Sequence, residues 1–242
     1  LSEKSKNFYR LQQLDGMVDV MMRQQRYAEA RIYLTKQREL IPNNPKVLMV
    51  SAELEFREKN LDKSIEYLKK LVVSLPQARA PETIIASWFQ RAGQTDEARK
   101  WMTDAAAKYQ SNPQVQIEVA SWAVNDEDFP TASASIKKAE ANGETPLSKS
   151  LKAKIAFAGE SYAVAESHYQ DLYEQDPNNF DAANMYALSL IQSSDPAKRK
   201  LAETIAKQNF RSLPDNVVAQ AALGYIQLQL GDLEQARSAI GR

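Results

Sequence analysis

Residues 221–237, Ala221-Ala222-Leu223-Gly224-Tyr225-Ile226-Gln227-Leu228-Gln229-Leu230-Gly231-Asp232-Leu233-Glu234-Gln235-Ala236-Arg237, read as a helix, a tight turn and a second helix. Gly224 places a small residue midway along the first helix, Gly231-Asp232 makes the turn, and Ala236 lies one turn into the second helix. The arrangement recurs upstream. Small residues early in each second helix are Ala30, Ser64, Ala98, Ala132, Ala165, Ala202 and Ala236, at steps of 34, 34, 34, 33, 37 and 34. Those in the first helices are Val18, Ala52, Ala86, Ala120, Ala153, Ala187 and Gly224, at steps of 34, 34, 34, 33, 34 and 37. The two tracks share one period and place a three-residue insertion between Ala187 and Ala202. A fixed period of this size marks stacked supersecondary units. Small residues let antiparallel helices approach closely. Leu34, Leu68, Met102, Ile136, Tyr169 and Ile240 follow the second-helix small residues by one turn, so each shares a face with its small residue.

Further positions follow the same period. A ring or leucine opens the second helix at Tyr27, Leu61, Phe129, Tyr162 and Leu233, and a proline closes the unit at Pro42, Pro76, Pro177 and Pro214. With these residues, positions 11–242 resemble the tetratricopeptide repeat (TPR) family. The resemblance implies an all-α fold, a right-handed α-solenoid of about seven helix-turn-helix units in a single superhelical array over 1–242. The units are 11–44, 45–78, 79–112, 113–145, 146–179, 180–216 and 217–242, the last incomplete. Thr95 and Arg199 depart from the bulky second-helix position, and Gln110 stands where a closing proline belongs. In the fifth unit Lys149, Lys152 and Lys154 interrupt the first helix, and Leu147, Leu151, Ile155 and Ala158 form an alternative apolar ridge.

Local signals place the breaks. Ser2 is a candidate cap for the first helix. Pro42-Asn43-Asn44-Pro45 ends one unit and begins the next, because proline cannot continue a helix but suits its first turn. Asp195 reads as an N-cap with Pro196 as the first helical residue. The second helix of the sixth unit should therefore start early and run longer by about one turn.

Composition limits the chemistry. The 31 Lys and Arg balance 31 Asp and Glu, which argues against a nucleic-acid binder held by a positive field. There is no cysteine, so disulfides and thiolate metal sites are excluded. No apolar run is long enough to span a membrane. The chain starts at Leu1 and stops within a second helix at Arg242, which reads as a soluble fragment of a longer, bacterial protein, cytoplasmic or periplasmic.

No catalytic, cofactor or metal site is expected. His168 is the sole histidine and reads as a surface or partly packed imidazole. Asp126, Glu127 and Asp128 sit in a turn, where they favour the next helix N-terminus. Trp88, Trp101 and Trp122 read as core first and as a peptide platform second. By the family resemblance, first helices line a concave groove that binds a protein or peptide. The candidate binding residues are Asp19, Met49, Glu53, Phe56, Arg57, Ile84, Arg91, Ile117, Leu151, Lys154, Asn184, Leu188 and Tyr225. The carboxylate clamp of chaperone-binding relatives is not expected, because Asp15, Asp19, Val50, Ala80 and Ile84 occupy the equivalent sites. The expected function is a non-catalytic interaction scaffold. The alternative is a peptide-sensing module that controls a further domain. Leu230, Leu233, Ala236 and Ile240 form an apolar stripe expected to support self-association.

Overall fold

The computed structural model describes residues 3–241, so the candidate cap Ser2 lies outside the described residues. Fourteen α-helices and no strand occur among them. They pair in order as α1 (Glu3–Arg23) with α2 (Tyr27–Leu40), α3 (Pro45–Arg57) with α4 (Leu61–Ser74), and α5 (Pro81–Arg91) with α6 (Thr95–Lys108). Then come α7 (Pro113–Asn125) with α8 (Phe129–Ala139), α9 (Pro146–Ala158) with α10 (Tyr162–Gln175), α11 (Phe180–Leu190) with α12 (Pro196–Ser212), and α13 (Val217–Leu230) with α14 (Leu233–Ile240). These seven hairpins fall into two compact units that divide between Lys108 and Tyr109.

Every small residue of both tracks is buried. The two tracks meet directly in the second hairpin, where Ser64 Oγ donates to the carbonyl of Ala52 at 2.8 Å. In the seventh, a Cβ on Gly224 would lie 2.5 Å from Cγ1 of the exposed Ile240, so any larger residue requires that side chain to shift. The opening rings and leucines Tyr27, Leu61, Phe129, Tyr162 and Leu233 are the first residues of their helices. In the fifth hairpin Ala153 is fully buried and Leu147 is exposed, which sets the register on the alanine rather than on the alternative ridge. Lys149 and Lys152 turn to Asp171, Glu144 and Glu140.

The core is continuous from hairpin to hairpin within each unit. In the first unit one cluster joins Val18 and Leu34 to Val47 and Leu54, and a second joins Leu48 and Leu71 to Ile84, Ile85 and Trp88. In the second unit Ile117 and Ile136 meet Leu151, and a long cluster runs from Ala153 through Tyr169, Tyr186 and Ile205 to Ile226. A lone hairpin cannot bury its apolar faces; its neighbour covers them.

The turns within hairpins share one device. Gln25, Lys59, Gly93, Glu127, Glu160 and Gly231 all have positive φ, between 57° and 86°. In each, the next residue's N–H bonds back to a carbonyl five residues earlier, as in Asn60 N to Glu55 O at 2.8 Å and Gln94 N to Phe89 O at 2.9 Å. This is the left-handed closure that satisfies the last carbonyls of a helix. Asp128 then caps α8 by accepting from Thr131 N, which gives the acidic turn its structural role.

The sixth hairpin differs. The insertion removes the left-handed residue, and Asp195 caps the next helix by accepting from Ala197 N at 2.8 Å. The second helix, α12, is 17 residues long against 14 for α2, α4, α6 and α10, as the spacing predicts. Arg199, the departure from the bulky position, donates to the carbonyls of Ile191 and Gln229.

Candidate functional site

A first helix inside a stack is covered by its hairpin partner and by the hairpins beside it. The open positions are those one and five residues after the small residue: Asp19 and Arg23, Glu53 and Arg57, Ser87 and Arg91, Ser121 and Asn125, Lys154 and Ala158, Leu188 and Gln192, Tyr225 and Gln229. All are exposed or half-buried. Of the residues expected on this face, Asp19, Arg57, Arg91, Lys154 and Tyr225 are exposed, while Met49, Glu53, Phe56 and Leu188 are half-buried.

Four expectations need correction. Ile84, Ile117, Leu151 and Asn184 are only 3–9% exposed and do not face outward. They stand two or three residues before the small residue, on the flank that packs against adjacent helices. Ile84 lies against Leu48 and Leu71, and Ile117 shares a cluster with Leu151.

In the first unit the open stripe borders two hollows. The first, about 650 Å³, lies between α1 and α3 with Gln37 of α2 beside it. Its charges are paired internally. Asp15 accepts from Lys46 Nζ and from Gln37 Nε2, both at 2.6 Å. Asp19 pairs with Arg23 and Glu53 with Arg57, each at 2.8 Å. Three carboxylates thus meet three cations.

The second hollow, about 660 Å³, lies between α3 and α5 and their following turns. Its aromatic wall is Phe56, Trp88 and Phe89, with Phe56 centred 5.2 Å from Trp88 and 4.9 Å, edge-on, from Phe89. Arg57, Lys59 and Arg91 line it with a single carboxylate, Glu53. Glu53 holds the Arg57 guanidinium above its ordinary pKa, with Tyr27 adding to the effect. Glu53 and Arg57 belong to both hollows.

This geometry brings Asp19, Glu53, Phe56, Arg57 and Arg91 together in one unit. Lys154, Leu188 and Tyr225 belong to the second unit, where the Tyr225 hydroxyl accepts from Gln192 Nε2 at 3.1 Å. Lys59, at a turn position that carries no signal in the sequence, lines the second hollow as well. Trp88 is buried among Leu48 and Ile85 and also lines the hollow. Among the described residues no helix is long and apolar enough to cross a membrane.

The family model for the tetratricopeptide repeat matches residues 17–79. No curated protein matches the sequence. Solved structures that share the fold include the following three. A tetratricopeptide repeat protein from Parabacteroides merdae aligns over 96% of this chain and 91% of its own, at 12% identity and a TM-score of 0.61. The C-terminal part of a TPR repeat-containing protein from Cytophaga hutchinsonii aligns over 92% and 91%, at 17% identity and 0.53. YrrB, described as a TPR protein with an unusual peptide-binding site, aligns over 71% and 88%, at 15% identity and 0.51.

Proposed function

We propose that the chain, matched by the tetratricopeptide-repeat family model over residues 17–79 and similar in fold to such proteins over nearly its whole length, is a non-catalytic scaffold. It binds a segment of another protein along the open stripe of first helices in the unit ending at Lys108. The observation that supports this is the pair of adjoining hollows bordering α1, α3 and α5, with Glu53 and Arg57 on both. Volumes near 650 Å³ with an apolar wall and a few placed charges suit side chains of a bound segment.

The test is selection from a random peptide display library on the immobilised chain. Wild type should enrich binding peptides. The double variant Asp19→Lys, Glu53→Lys should lose them, whereas Val73→Arg, on the exposed side of α4, should keep them. Failure of wild type to enrich any peptide, or equal enrichment by the double variant, refutes the proposal.

A further inference from the structure

The first three hairpins repeat a charge pair on their first helices, and the third repeat is missing one half. Position one after the small residue holds Asp19, Glu53 and then Ser87; position five holds Arg23, Arg57 and Arg91. The first two form ion pairs at 2.8 Å. In the third, Arg91 Nε reaches only the carbonyl of its own helix at Ser87, 3.4 Å away. Among the described residues neither Arg91 nor the Lys59 ammonium has a carboxylate partner. Both line the second hollow, beside Phe56, Trp88 and Phe89.

The consequence is a contrast between neighbours. The first hollow is internally neutral. The second has three cations against one carboxylate, and that carboxylate is taken by Arg57. An apolar wall beside uncompensated cations is complementary to a segment bearing both a large apolar side chain and carboxylates. We infer that the second hollow takes an acidic peptide with an aromatic anchor, the anchor against Phe56 and Trp88 and the flanking carboxylates against Arg91 and Lys59. This rests on the scaffold reading and names its partner class. Ser87, in the place of an acid, leaves Arg91 available.

The experiment uses three labelled decapeptides in fluorescence polarisation: a central Phe flanked by Glu, the same Phe flanked by Lys, and a central Ala flanked by Glu. Only the first should bind wild type tightly, with affinity falling as salt rises. Arg91→Glu should weaken it about tenfold, the scale of losing a well-placed charge at an interface. Ser87→Glu should also weaken it, because it restores the missing partner inside the helix at one-turn spacing. Both substitutions lie on the open stripe, and circular dichroism confirms that each variant folds. Equal or tighter binding of the Lys-flanked peptide, or no effect of Ser87→Glu and Arg91→Glu, overturns the inference while leaving the scaffold reading intact if display yields other peptides. No binding by any of the three, together with an empty display selection, removes both. A single-stranded oligonucleotide that outcompetes the Glu-flanked peptide also overturns it.

Discussion

The left-handed turn residue offers a test with a sign for each substitution. Lys59 and Gly93 hold equivalent places in successive hairpins, with φ of 64° and 74° and the same closing hydrogen bond. At Gly93 an added Cβ meets nothing within 4 Å, so Gly93→Ala carries no clash and its cost is purely that of the backbone. A left-handed conformation costs an L-residue about 1–2 kcal/mol. Alanine recovers about 0.4–1 kcal/mol by restricting the unfolded chain. The net expectation is that Gly93→Ala destabilises by about 1 kcal/mol. Lys59→Gly removes the same strain and should stabilise by about 0.5–1 kcal/mol. The assay is urea unfolding followed by far-UV circular dichroism, with both variants and wild type compared at constant slope. A neutral Gly93→Ala, or a Lys59→Gly variant less stable than wild type, would refute the strain argument.

Three further outcomes are expected. Gly224→Ala gains about 1 kcal/mol of helix preference but drives its Cβ to 2.5 Å from Ile240 Cγ1; in an Ile240→Ala background the clash disappears, so a double-mutant cycle should give a coupling of about 1 kcal/mol or more, and additive effects would contradict it. Glu55 is buried and held below the ordinary carboxylate value of 4.5 chiefly by its hydrogen bond from Arg31. Its stabilisation is therefore complete above that value and lost as pH falls through the lower folded value, and Glu55→Gln should flatten the acid limb of a pH–stability profile. Tyr169 is 1% exposed and its hydroxyl has no partner among the described residues; Tyr169→Phe should leave thermal stability unchanged or raise it by about 1 kcal/mol, and a loss of that size would show the hydroxyl to be satisfied.

The repeat was legible because close packing leaves a mark on composition. Where Ala52 touches Ser64 or Gly224 faces Ile240, no large side chain fits, so the excluded volume writes a period into the sequence. Asp195-Pro196 likewise announces its helix through local chemistry alone. Gly231 and the acidic run at Asp126–Asp128 marked their turns, but the left-handed conformation of Gln25, Lys59, Glu127 and Glu160 was not legible, because these residues have no special preference for it. Glu55 was unreadable for a related reason: a glutamate looks like surface until Arg31, 24 residues earlier, is known to meet it. The candidate site was half legible. Asp19, Glu53 and Arg57 follow from the helix period, but Ile84 and Asn184 failed because the width of the open stripe depends on how closely the next hairpin lies.

Arg199 gives the sixth hairpin a different kind of joint. Elsewhere a backbone bond reaching back five residues closes the turn, whereas here the turn has only the three-residue bonds of Gln192 N to Ser189 O at 3.3 Å and Ser193 N to Leu190 O at 3.1 Å. Here one guanidinium clasps the carbonyl of Ile191 at the end of α11 and also that of Gln229, at the end of α13. Losing that side chain would leave a helix-end carbonyl in each of two hairpins without this donor, so its effect would not stay within a single link.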